Sequence, residues 1–389
     1  MPLLGTTFHG CHMGATFRIV ALSWVPCSPL HHCYGCRADG WHPQCYEELS
    51  GTPSGIFPTP PTSRSYYGSP EKPGFEGTGI HMNDVSFASE VPKWHRRLFA
   101  WAAFMVYVLV LSGGIVCITD SSHGCPDWPT CHERWFPPNQ ADSIIEYSHR
   151  MLTPLTLPFL ITAAVVAWRR YRSERWIFIP TIGAIVCLAV VVFFGALVIL
   201  TGLPRGWAAV DLGTALMALA LIVTAASGMS ARVRSPTEDL RPSLTSGFAG
   251  LALATTATVY TALVSGVLVS RPGALMRCLN WPGVVGLGKP EDLYGWMYLA
   301  RFALGVLASV LIAALVVQAW KSQRHNPLLV RDATIAGVLL AIATAIGVLT
   351  PTPDNGIVMP ALSMATAAAL WAVLVAVVMR SGREISGGD

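Results

Sequence analysis

The stretch SGGIVCITDSSHGCPDWPTC, Ser112–Cys131, aligns without a gap on SGVLVSRPGALMRCLNWPGV, Ser265–Val284. Ser-Gly, Val116 with Val269, Cys125 with Cys278, Trp128 with Trp281 and Pro129 with Pro282 coincide, and farther on YSHRML (Tyr147–Leu152) meets YLARFA (Tyr298–Ala303). A chain that returns to its own pattern in this way is built from two similar halves. Composition says what the halves are made of. About half of the 389 residues are apolar and only 12% are charged, which excludes an ordinary soluble domain.

Apolar windows of about 20 residues, the length that crosses roughly 30 Å of hydrocarbon, occur eight times, near 98–118, 150–168, 176–200, 206–227, 246–269, 294–319, 332–350 and 358–380. Four fall in each half. Because four is even, both halves enter the membrane with the same orientation, and a pseudo-twofold axis along the membrane normal is expected to relate them. The expected fold is an all-α polytopic membrane protein whose eight transmembrane helices form two parallel-repeat four-helix bundles. The halves divide as 82–235 and 236–389.

Charge orients the spans. Lys93, Arg96 and Arg97 precede the first, Arg169, Arg170, Arg172 and Arg175 follow the second, Arg232, Arg234 and Arg241 the fourth, Lys321, Arg324 and Arg331 the sixth, and Arg380 and Arg383 the last. Basic connections stay inside, so both ends of the membrane domain are expected in the cytoplasm and the loop at 119–149 outside. These connections also account for the net charge of +4. No nucleic-acid partner is implied.

The first 81 residues are rich in Pro, Gly, Ser, Cys and His and contain no apolar run of span length. They read as disordered or as not made, with Met82 as the natural start. The competing reading is a metal site in HHCYGCRADGWHPQC, where His32, Cys33, Cys36 and Cys45 offer imidazole and thiolate ligands. In the outer loop, Cys125 and Cys131 enclose PDWPT, a separation that permits a disulfide on the oxidising side of a membrane, the alternative being two free thiols. The second loop has Cys278 but Val284 and lacks the same pair. Cys117 and Cys187 lie in or near spans and read as small core residues.

Among the eleven histidines only His149, in IEYSHR (Ile145–Arg150), sits at a span. Ionisable groups at membrane depth are costly and mark ligands, ions or cofactors. Glu146 and His149 share a helix face, while Arg150 projects to one side. A neutral imidazole in a four-helix bundle suits the axial position of a haem iron, and a guanidinium beside it suits a propionate. The alternative is an interfacial Glu-His-Arg cluster that caps the helix.

LSGGIVCITDSSHGCPDWPTCHERWFPP, IEYSHRML and FFGALVILTGLPRGWAAVDLGTALMALAL resemble the haem A synthase (CtaA/Cox15) family, and the likeness runs from about Trp94 to Val378. The resemblance implies eight helices in two halves, each with paired histidines, and oxidation of a methyl group of haem O to the formyl group of haem A. It implies His149 as iron ligand, Arg150 and Arg301 as cofactor-binding residues, and Glu146 as a proton acceptor. It further implies haem O as substrate, membrane lipid as surroundings, haem O synthase or cytochrome oxidase subunits as partners, and the bacterial cell membrane as location.

Three of the four family histidines are replaced. Asp211 stands in the fourth span, Ala300 precedes Arg301 in the sixth, and Ser363 lies near the site in the eighth. The haem b that the family holds in its C-terminal half therefore lacks histidine ligands, and either that site is lost or Met297, Met359 or Met364 substitutes. Asp211 reads as a carboxylate that receives a proton or binds water near the iron, or as a partner of Arg205 or a helix cap. Two function classes follow: a haem-modifying oxidoreductase, and a non-catalytic haem-binding or oxidase-assembly protein. A transporter fits less well, because the spans lack further polar residues for a substrate path.

Overall fold

In lipid, every backbone N–H and C=O must find its partner inside the protein, and a helix does this within one segment. The computed structural model describes residues 91–202, 204–235, 246–269, 281, 292–349 and 357–381. All of them belong to one unit spanning His81–Asp389. The His32–Cys45 cluster, the Met82 start and Cys278 lie outside the described residues.

Eight long helices follow one another: α1 (Lys93–Ile118), α2 (Ala141–Arg170), α3 (Arg175–Leu200), α4 (Arg205–Arg234), α5 (Gly247–Val269), α6 (Leu293–Ser322), α7 (Pro327–Leu349) and α8 (Val358–Ser381). Each is long and apolar enough to cross a membrane, and the chain is an all-α polytopic membrane protein. The helices overrun the apolar windows. The second window begins at 150, but α2 begins at Ala141, which places His149 more than two turns inside the helix rather than at its mouth. Hydropathy stops at the first charged residues, whereas backbone hydrogen bonding continues through them.

The helices pack as two quartets. In the first, α1 contacts α2 and α4, and α3 contacts the same two; in the second, α5, α6, α7 and α8 close a ring in the same cyclic order. α8 packs against both α1 and α4, and α5 against α4, joining the quartets. Small residues permit close approach at these contacts. Gly114 of α1 is one: a Cβ there would lie 2.8 Å from Met364 Sδ of α8. The Trp371 indole N–H of α8 donates to the Leu216 carbonyl at 2.9 Å, and the Tyr107 hydroxyl of α1 donates to the Ala365 carbonyl at 3.0 Å. Large apolar side chains such as Trp101, Ile179 and Phe193 remain on the outside of the bundle, where lipid takes the place of water.

At the end opposite the α1–α2 loop, charged groups pair rather than face hydrocarbon alone. Arg232 meets Glu174 at 2.5 Å, and Arg380 pairs with the buried Asp332. His95 and Tyr171, both buried, share a hydrogen bond of 2.7 Å.

Candidate functional site

Between α1 and α2 the chain makes a short 3-10 turn (Ser121–His123) and then a loop in which Cys125 and Cys131 are joined by a disulfide. Cys117 is also disulfide-bonded, which corrects its reading as a core residue. It lies one residue before the end of α1, on the loop side of the span. Cys187 is free and partly buried.

The first turns of α2 hold this loop down. Ser143 Oγ donates to the Gly124 carbonyl at 2.6 Å, and Ser121 Oγ donates to Asp142 at 3.1 Å. Gly124 is required by the closeness of the contact, since a Cβ there would come within 2.4 Å of the Asp142 carbonyl oxygen. Deeper along α2, the Cys125 backbone N–H donates to Glu146 Oε2 at 2.7 Å.

Arg150 completes the arrangement. Its Nη1 donates to the carbonyls of Asp127 (2.6 Å) and Thr130 (2.7 Å), and its Nη2 to the carbonyl of Cys125 (2.9 Å) and to Glu146 Oε1 (2.5 Å). A guanidinium has five N–H donors in a fixed fork. Four are thus committed to the loop and to Glu146, and Nε, buried without a hydrogen-bond partner, is the donor left over. The pair is well buried, with Glu146 only 3% exposed. One i, i+4 ion pair on α2 therefore clamps the backbone of the disulfide loop from below.

Beneath the loop lies a cavity of about 470 Å³ lined by α1–α4, by Val267 of α5 and by Trp128 and Pro129 of the loop. Glu146, His149, Arg150 and Asp211 all line it, among mostly apolar neighbours such as Val110, Leu188 and Leu212. The sequence-predicted residues of the first half are thus brought together. Arg301 is not among the lining residues; it is buried in the second quartet, its guanidinium against Gly266.

His149 is set by contacts from α1. Its Nδ1 lies 2.8 Å from Ser112 Oγ, and its ring lies flat enough against Gly113 that a Cβ there would sit 3.0 Å from Cε1 and 3.3 Å from Nε2. Among the described residues Nε2 has no hydrogen-bond partner. Neither Ser112 nor Gly113 was singled out as a site residue from sequence, although the Ser-Gly step is among the positions that repeat.

Asp211 lies well inside α4, whose N-cap is Pro204, so it does not cap the helix. Arg205 turns instead to α6, donating to the Tyr294 hydroxyl at 2.7 Å with its guanidinium 5.2 Å above that ring. Asp211 Oδ1 is buried with no hydrogen-bond partner. A Cβ on Gly195 of α3, another cavity-lining residue, would lie 3.8 Å from this oxygen. An unpartnered carboxylate oxygen on an apolar wall is expensive unless something in the cavity addresses it.

Residues 96–375 match the model of the COX15-CtaA family, described as cytochrome oxidase assembly protein. The chain belongs to this family. Among curated relatives, a protein of Symbiobacterium thermophilum is 30% identical over 283 residues, 69% of this chain and 90% of its own length. One from Bacillus pumilus is 26% identical over 265 residues (65% and 84%), and one from Bacillus cereus ATCC 14579 is 24% identical over 302 residues (74% and 95%). All three are named "Heme A synthase".

COX15-CtaA membership raises the question whether the residues present fit a haem. In the first quartet they do: the cavity is within the range of about 300–1,000 Å³ usual for cofactor-sized ligands, and it offers one imidazole nitrogen free of protein partners and one orphaned carboxylate oxygen. In the second quartet the residues at the family's histidine positions do not, which leaves the partly buried Met297 and Met359 as the remaining sulfur donors. Ala300 and Ser363 are not ligands for a haem iron, and Met364, fully buried, directs its sulfur at Gly114 of α1 as packing between the quartets. No step is derived through a second haem.

Proposed function

We propose that the chain is a haem A synthase-like oxidoreductase of the cell membrane, acting on the methyl group of haem O in a site built from one histidine. The observation that carries this reading is that His149, with Nε2 free, and Asp211, with Oδ1 unpartnered, line one largely apolar cavity under the disulfide loop. The relatives' names supply the substrate class. Bound haem O would bring an iron able to take an imidazole ligand and a ring methyl whose four-electron oxidation to a formyl group draws its oxygen atom from water or dioxygen and passes its electrons to an acceptor from outside the chain.

The chain's own residues would then divide the work. His149 holds the iron, the apolar walls exclude water, and Asp211 orients a water molecule or takes up a proton on its free oxygen. Glu146, already accepting from Cys125 N–H and Arg150, lines the cavity as a second carboxylate with lone pairs to spare. The disulfide loop would face outward and the basic connections inward, as in a bacterial cell membrane with both ends of the membrane domain in the cytoplasm.

A second reading, a haem-binding or oxidase-assembly protein without catalysis, is favoured by one particular. The two residues expected to address the macrocycle, Glu146 and Arg150, are bonded to the loop, and the family histidine of α4 is an aspartate. The variant Asp211→His tests the haem site that the enzyme and the haem-binding reading share, whereas formation of haem A separates them. If His149 already holds an iron, the added imidazole is expected to shift the haem spectrum to a bis-histidine, low-spin form. A spectrum identical to wild type would remove Asp211 from the haem site.

A further inference from the structure

The hydrogen bonding of Ser112 fixes more than the position of the His149 ring. A serine hydroxyl has one proton to give. Ser112 Oγ lies 2.8 Å from the carbonyl oxygen of Leu109, three residues back on α1, and a carbonyl can only accept. The proton is therefore spent there. Ser112 Oγ also lies 2.8 Å from His149 Nδ1, and with its proton directed at the Leu109 carbonyl the oxygen offers that contact only lone pairs, which match the Nδ1–H form of the ring.

The second half of the chain supplies an internal comparison. Ser265 aligns with Ser112, and its hydroxyl donates to the Ala262 carbonyl, again three residues back, at 2.9 Å. Its counterpart of His149 is Ala300, which has no ring to address. The serine proton goes to the helix carbonyl whether or not a histidine is present, so the bond is a property of the helix position and the histidine accommodates it.

We infer that Ser112 is a positioning residue that holds His149 as the Nδ1–H tautomer and so presents the bare Nε2 lone pair as the iron-binding atom. A neutral imidazole has one bare nitrogen, and only that nitrogen binds a metal. Donation from Nδ1–H to an oxygen also raises the basicity of the opposite nitrogen and restrains rotation of the ring. Gly113, the neighbouring residue, leaves the space in which the ring lies. This inference rests on the proposed haem site.

The test uses the full chain in detergent, with ferric haem b as the probe, and compares wild type, Ser112→Ala, Ser112→Thr and His149→Ala. Ser112→Ala is expected to lose roughly 10- to 100-fold in haem affinity, the range seen when the partner of a metal-bound histidine is removed. The iron–histidine stretching band of the reduced protein should move to lower frequency, a change that altered packing alone would not give. Ser112→Thr keeps a hydroxyl able to bond back to the helix and should restore both. Wild-type affinity and band position in Ser112→Ala, with His149→Ala deficient, would overturn the inference and leave the haem site standing. Failure of Ser112→Thr to restore either property would also overturn it. Unchanged haem binding in His149→Ala would overturn the site itself.

Discussion

His149→Ala is expected to purify with almost no haem from cells in which the wild-type chain retains it. Among the described residues the imidazole is the one nitrogen ligand on the cavity wall, and its loss should cost at least the roughly 10- to 100-fold that a metal site loses when a mere supporting partner of a ligand is deleted. Truncation also leaves a ring-sized space beside Gly113, so added imidazole should restore part of the binding and the low-energy visible bands that go with it. Haem content per protein and the visible spectrum, with and without imidazole, check this. Equal haem in the variant and the wild type would mean that the histidine is a structural member of the α1–α2 contact.

The second large effect is expected at Arg150. Replacing it with alanine removes four hydrogen bonds to the loop and to Glu146 and leaves a carboxylate that is 3% exposed without its cation. Breaking a buried pair by deleting one partner costs about 3–5 kcal/mol. The loss should fall on the roof of the cavity first, because three of the four bonds end on carbonyls of the Cys125–Cys131 loop. Limited proteolysis in the loop and thermal unfolding measure it. Arg150→Lys should recover only part of the stability, since a point charge on a flexible stem cannot span three carbonyls and a carboxylate at once. An Arg150→Ala protein as protease-resistant as wild type would show that the disulfide alone holds the loop.

Much of the fold could be read from sequence because lipid imposes one rule on every span. Apolar windows located the eight helices found among the described residues. What the windows missed were helix ends. The first turns of α2 carry Asp142 and Glu146, which lower hydropathy while their side chains satisfy the loop, so the helix starts nine residues before its window. Within the site, the cluster Glu146–His149–Arg150 was visible as ionisable groups at an apolar span, and Asp211 as a substitution within a family motif.

The partners of these residues were not visible. Arg150 is satisfied by loop carbonyls, which every residue possesses and no sequence pattern announces. A propionate is the partner that the sequence offers this guanidinium, and in the structure four of its donors go to loop carbonyls and Glu146. Ser112 was hidden for a similar reason: a serine near a helix end bonds back to a carbonyl in most proteins, and only the approach of His149 from α2 turns that bond into a constraint on tautomer. Met364 is a ligand or core filler in the sequence, and in the structure its sulfur packs against Gly114.

The central claim is that a cavity with one histidine oxidises a haem methyl. It is tested most directly by expressing the chain in cells that make haem O but have no other means of converting it, and analysing the extracted haems by chromatography and mass spectrometry. Formyl-bearing haem A is expected with the wild-type chain and not with His149→Ala. Haem O recovered unchanged, from cells in which the wild-type protein is present in the membrane and carries haem, would contradict the enzyme and leave a binding protein of the same fold.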